Sequence, residues 1–269
     1  MTHFKYQKII EPIRTSGFLF EVHLTEHCNL NCKGCSHFSP LAEKEFMDVE
    51  VFERDMARMA KLFDNNEIQR IRLLGGEPLL HPQVNEFIEI AAFYFPNIWR
   101  ELVTNGLLLP DMSDSFWETC RATGTSIYIS HYPVSLNYAM LEKKANKKGI
   151  GIITEPKQSF RKDVYDVSGS QDELLSHSSC FLFGNCCQLN NGRFFPCSIS
   201  AYFHHFNSYF NLGISLSDDN CLDIYKARSK EEFFRLITTP VPCCKYCHVK
   251  MRKFGVKWEH SKKKIDEWT

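Results

Sequence analysis

Apolar residues in the first half of the chain fall into short runs separated by stretches with helical spacing. Phe18 to Leu24 forms the first run and ends at a group of cysteines, after which Phe52, Met56, Met59 and Phe63 recur on one helical face. This predicts a strand, a long loop and a helix. A second run, Ile71 to Leu74, stops at Gly75-Gly76 and leads into a helix predicted from about Gln83 to Tyr94. A third, Leu102-Val103, stops at Asn105-Gly106. Strand four is predicted over Thr125 to Ser130, the next helix over Leu136 to Lys147 and strand five over Ile150 to Thr154. Such alternation argues for parallel strands joined by crossovers, hence an α/β barrel or a doubly wound sheet, and pattern alone does not choose between them.

After about Lys157 the rhythm changes. Residues 159–189 are polar and cysteine-bearing, Asn190-Asn191-Gly192 predicts a hairpin turn, and Ser229 to Glu232 has the form of a capping box before Phe233, Phe234, Leu236 and Ile237. The boundary is therefore set between residues 1–157, the first five strand-helix units, and residues 158–269, the end of that unit series with a small cysteine-rich region. The aromatic run Tyr202, Phe203, Phe206, Tyr209 and Phe210 is assigned to core.

Composition narrows the class. With 269 residues, 43% apolar and 24% charged, the chain has the make-up of an ordinary globular protein. Lys plus Arg and Asp plus Glu are both 32, so no global field gathers nucleic acid or anionic membrane. The basic stretch from His248 to Asp266 is expected to be a solvated terminal helix or tail, with nucleic acid not expected as a partner. No signal-type segment or long apolar stretch is evident, and a cytoplasmic location without membrane contact is expected. In that compartment thiols stay reduced, so the 12 cysteines point to metal or chemistry rather than disulfides.

Cys28, Cys32 and Cys35 form a CxxxCxxC group on the loop after the first strand, where three thiolates can wrap one metal centre. Structural zinc would want a fourth ligand, for which His37 is the candidate; a 4Fe-4S cubane held by three thiolates would leave one iron open. Gly75-Gly76-Glu77-Pro78 stands at the end of the next strand. The pair of motifs resembles the radical SAM superfamily, with its CxxxCxφC loop and GGEP motif on a partial β/α barrel. The resemblance implies a partial (β/α)6 TIM-like barrel of the α/β class. It also implies S-adenosylmethionine and a 4Fe-4S cluster as cofactors, a low-potential electron donor such as flavodoxin or ferredoxin, and metal ligation by Cys28, Cys32 and Cys35. Gly75, Gly76, Glu77, Asn105 and Ser130 would meet S-adenosylmethionine. The family's aromatic φ position is Gly34 here, so His37 or Phe38 is expected to supply the missing ring.

Cys180, Gly192 and Cys197, followed by Cys243, Cys244 and Cys247, resemble the SPASM/twitch regions that carry auxiliary clusters behind such barrels. The shortened twitch form is expected, with a second 4Fe-4S cluster on Cys180, Cys197, Cys244 and Cys247 and with Cys243 as the alternative to Cys244. Four thiolates would satisfy tetrahedral zinc equally well by geometry. The resemblance implies reductive cleavage of S-adenosylmethionine to a 5′-deoxyadenosyl radical that takes hydrogen from a small sugar-like or aminocyclitol substrate. Oxidation of a secondary alcohol, with the second cluster as electron acceptor, is the leading expectation, and Arg161 lies where a base would be sought. The alternatives are redox-neutral epimerisation using a spare thiol (Cys120, Cys186, Cys187, Cys221 or Cys243), peptide or RNA modification, and a zinc-binding interaction module.

Overall fold

A computed structural model describes residues 17–64, 67–155 and 159–269. The predicted boundary at residue 157 and the segment before residue 17 lie outside the described residues. The strands are β1 (Phe18–Thr25), β2 (Ile68–Gly75), β3 (Trp99–Thr104), β4 (Ser126–Ser130) and β5 (Ile152–Glu155). The intervening helices are α1 (Val49–Leu62), α2 (Val84–Tyr94), α3 (Asp114–Thr123) and α4 (Tyr138–Lys147). Each helix start has a local cause. Asp48 accepts from Val51 N at the head of α1, whose Phe52, Met56 and Met59 form the buried stripe, and Ser113 accepts from Phe116 N at the head of α3. Gly124, with φ of 66°, closes α3 in the left-handed conformation.

The main sheet has eight strands in the order β5-β4-β3-β2-β1-β7-β8-β9, with β7 (Cys187–Asn190), β8 (Arg193–Phe195) and β9 (Leu222–Asp223). Strands β1 to β5 run parallel, and the sixth parallel strand, β7, docks on the free side of β1 rather than beside β5. The cysteine-rich region thus begins by extending the same sheet. Its remaining elements are α5 (Glu173–Ser178), α6 (Ser198–Tyr209) and α7 (Lys230–Leu236). A separate antiparallel ladder joins β6 (Phe160–Lys162) to β10 (Lys253–Val256). The architecture is an α/β, parallel-dominated, partial TIM-like barrel.

Period-two alternation divides the strands chemically. On β1, Phe18, Phe20, Val22 and Leu24 enter the core with the helices, while Glu21, His23 and Thr25 take the other face. Ile71 and Leu73 of β2, and Ile127 and Ile129 of β4, follow the apolar side; Arg72, Tyr128 and Ser130 follow the polar one. A second core gathers Tyr202, Phe203 and Phe206 of α6 with Phe38, Tyr165 and Trp268, as expected for that aromatic run, whereas Phe210 is half-buried and Tyr209, against the expectation, is exposed.

Candidate active site

The polar face of the sheet opens into a cavity of about 930 Å³ bordered by all three cysteines of the first loop, Cys28, Cys32 and Cys35. Register explains why that loop meets the glycine motif. Thr25 pairs with Gly75 at the ends of β1 and β2, Gly76 N donates to Thr25 O (2.8 Å) and Glu77 N to His27 O (3.1 Å). A methyl group on Gly76 would fall 2.0 Å from the His27 carbonyl oxygen and 2.8 Å from Cys28 N. Only hydrogen fits there, so glycine brings the two loops together.

Gly75, Gly76, Asn105 and Ser130 all border the cavity; Glu77 does not. Its carboxyl is buried and accepts from Thr104 Oγ1 (2.6 Å), Asn105 N (2.9 Å) and Leu79 N (3.2 Å). Burial raises it to about 7, against three hydrogen bonds that favour the charge. In this structure the Glu77 carboxyl braces the β2 loop against the end of β3. Asn105 continues the brace, donating from Nδ2 to Asn29 Oδ1 at 2.7 Å beside Cys28.

Burial raises the Cys28 and Cys35 thiols, Cys35 despite the backbone N–H groups of His37, Phe38 and Ser39 around its sulfur. Among the described residues, no three His, Cys, Asp or Glu side chains converge on one point suited to a single metal ion. The thiols stand instead around the cavity wall, and a cubane bonds each thiolate to a different iron, so three soft donors on an open wall fit such a cluster. Phe38 is fully buried in the second core and supplies no ring to the cavity, which corrects one expectation. His37 borders the cavity and is held through His23 Nε2, 2.6 Å from its Nδ1. Behind it Glu26 lies 3.0 Å from both His23 Nδ1 and His205 Nε2; burial alone would raise this carboxyl, but the two rings hold it low.

The floor is a buried ion network. Arg72 lies 2.7 Å from Glu101 and 3.5 Å from Glu21, and Gln188 of β7 donates to Glu21 at 2.6 Å. Arg161, sought as a base, lies on β6, borders the cavity and pairs with Asp163 at 2.9 Å. A guanidinium stays charged, so it can orient a polar ligand better than it can accept a proton.

The second cysteine group closes a smaller, apolar cavity of about 20 Å³ bordered by Cys180, Cys197, Cys243, Cys244 and Cys247, with Leu182, Phe183 and Val241. Burial raises the Cys197 thiol to about 11 and the Cys244 thiol to about 12. Cys180 lies within electrostatic range of Cys197, Cys244 and Cys247. Cys243 interacts instead with Cys197, Cys244 and Cys247, and its backbone N–H is tied to Asn220 Oδ1 at 2.6 Å. Five thiols bordering one small apolar cavity are a donor set that fits a fully ligated iron-sulfur cluster.

Leu182 belongs to both cavities. Of the spare thiols, Cys186 alone lines the larger one among the described residues, and burial lifts it to about 12. Other lining residues escaped the sequence reading. Tyr132 and Trp258 had no motif, whereas Glu21 was visible as a polar position between Phe20 and Val22.

Residues 22–148 match the Radical SAM superfamily model. S-adenosylmethionine and a 4Fe-4S cluster are the cofactors of that superfamily, and reductive cleavage of S-adenosylmethionine is its chemistry. Among curated relatives, the GTP 3′,8-cyclase of Campylobacter curvus is 29% identical over 105 residues, 39% of this chain and 30% of that protein. The GTP 3′,8-cyclase of a Sulfurovum strain is 35% identical over 97 residues, 36% of this chain and 29% of that one. The chain therefore matches less than a third of these relatives' length. The solved structure of BtrN with AdoMet and 2-DOIA shares the fold at a TM-score of 0.55 and 18% identity, covering 87% of this chain and 94% of that one. No helix among the described residues is long and apolar enough to cross a membrane.

Proposed function

We propose that the protein oxidises a secondary alcohol on a small sugar-like or aminocyclitol molecule held in the 930 Å³ cavity. The observation that carries this reading is the second cysteine group, separated from that cavity by the shared side chain of Leu182. Cys28, Cys32 and Cys35 would hold the first cluster, and Cys180, Cys197, Cys244 and Cys247 a second. When bound, these groups supply one-electron cleavage of S-adenosylmethionine, a radical able to take a carbinol hydrogen, and an acceptor for the electron left behind. A flavodoxin- or ferredoxin-like donor would deliver the initiating electron.

The chain's own residues then have separable tasks. Gly76 and the Glu77 brace fix the cysteine loop against the end of β2. Arg161 and the Arg72 floor network face the substrate space with fixed positive charge, suited to hydroxyl and anionic groups. The sheet and the C-terminal region both supply walls of the cavity, on which keeping water from a reactive intermediate would depend.

Cys186 favours a second reading, redox-neutral epimerisation. Its thiol borders the substrate space and keeps its proton, the state in which sulfur can return a hydrogen atom. One experiment separates the two. Reconstituted protein incubated anaerobically with S-adenosylmethionine, a reductant and a panel of polyols in deuterated water is expected to give one ketone per 5′-deoxyadenosine. Deuterium at one inverted carbon, lost on Cys186→Ala, would establish epimerisation instead.

A further inference from the structure

The basic side chains of the terminal stretch are mostly solvated, as their charge predicts, but its backbone is docked. From Lys257 to Thr269 the chain folds back over the first cysteine loop. Lys33 N donates to Glu259 O (3.0 Å), Ser261 N to Asn31 O (2.8 Å), and Asn31 Nδ2 to Ser261 O (2.8 Å), so the two segments run as a short antiparallel pair with Cys32 opposite His260. Trp268, fully buried, donates from Nε1 to Cys35 O at 3.0 Å and accepts from Tyr165 N at its carbonyl. The buried Glu267 carboxyl locks the turn by accepting from Ser261 Oγ, Lys262 N and Lys264 N. Lys33 and Lys162, which border the cavity, are occupied by Glu259 and by the Asp266 carbonyl.

Two details connect this fold-back to the site. Gly34 adopts φ of 67°, and a methyl group there would lie 3.2 Å from Glu267 O, so the tail occupies the direction in which an aromatic side chain would project. In its place the tail brings Trp258, which borders the cavity with Tyr132 and Phe160. Its indole Nε1 donates to Cys32 Sγ at 3.2 Å. An indole nitrogen is a donor only, so this contact has one polarity.

We propose that Trp258 is a positioning residue for the first cluster: its N–H fixes the Cys32 sulfur and raises the reduction potential of the cluster that sulfur would hold, with Gly34 present because the tail must pass there. The proposal rests on the reading that Cys32 is a cluster ligand. Reduction adds negative charge to the cluster and its thiolates, and a hydrogen bond to sulfur stabilises the reduced state more than the oxidised one. Removing the N–H while keeping a ring should make reduction harder without emptying the site.

The test uses full-length, reconstituted wild type, Trp258→Phe and Gly34→Ala, the last acting from the loop side by lifting the tail. Iron is counted, and the S-adenosylmethionine-sensitive EPR signal is titrated against potential. Both variants are expected to keep iron, with the reduced-to-oxidised ratio at a fixed potential about tenfold lower in Trp258→Phe, equivalent to about 59 mV for a one-electron couple. Unchanged potentials in iron-loaded variants would overturn the proposal while leaving Cys32 as a ligand. Full iron in Cys32→Ala would instead overturn the reading beneath it. If Trp258→Phe alone lost iron, Gly34→Ala would decide by the same titration.

Discussion

Glu77 spends its carboxyl inside the protein, on Thr104, Asn105 and Leu79, although its place in a GGEP motif suggests a ligand contact. Its pH behaviour follows. Burial raises the group from 4.5 to about 7, so the folded state binds the proton more tightly than the unfolded one. The stability this gives is complete below about pH 4.5 and is lost as pH rises through 7. Glu77→Gln cannot titrate, so the melting temperature of wild type minus that of the variant should fall by a few degrees between about pH 5 and pH 8. An equal difference at both pH values would show that the group is not shifted. The motif itself was legible because glycine at a close approach leaves a mark in sequence. The direction of the Glu77 side chain was not, since it depends on the end of β3, some 27 positions onward. The setting of Arg161 was hidden for the same reason: the β6–β10 ladder that holds it pairs Phe160 with Val256 and Lys162 with Lys253, some 90 positions onward.

Between β7 and β8 the Asn190-Asn191-Gly192 turn was readable from its residues, and the structure adds what holds it down. Gly192 N donates to the buried Asp55 Oδ2 of α1 at 2.7 Å, and Tyr225 OH to Oδ1 at 2.6 Å. Gly192 has φ of 75°, and a methyl group would meet the Tyr225 ring at 2.9 Å, so glycine serves both turn and packing. Asp55→Ala leaves a buried N–H without an acceptor and should cost about 2 kcal/mol, seen as a lower urea midpoint at unchanged slope. A midpoint equal to wild type would mean the hairpin is held by sheet pairing alone. Other elements followed from local signals, as at Ser229, where Glu232 accepts from the backbone N–H groups of Arg228 (2.8 Å) and Ser229 (3.1 Å) at the head of α7. Helix α6 left a weaker trace, because it is buried around most of its circumference, with the polar Ser198, Ser200 and His205 included, and so shows no clean apolar stripe. The basic side chains of the tail do mostly face solvent, as their charge suggests, whereas its docking was not legible because it hangs on three isolated anchors, Ser261, Glu267 and Trp268.

Over the whole molecule, the strand-helix alternation carried β1 to β5 and so the class of fold, while the docking of β7 beside β1 required long-range pairing that periodicity cannot express. That pairing matters to the account. It carries the second cysteine group to the side of the cavity opposite β5 and leaves Leu182 and Cys186 between two sets of thiols. The central claim is that these sets hold two separate clusters around one substrate space. Iron per chain, with Mössbauer spectra, measured on reconstituted wild type, Cys32→Ala and Cys197→Ala tests it most directly. About eight irons in wild type and about four in each variant, with different spectral components remaining, is the predicted result. About four irons in wild type, or a Cys197→Ala variant with the full wild-type content, would contradict it.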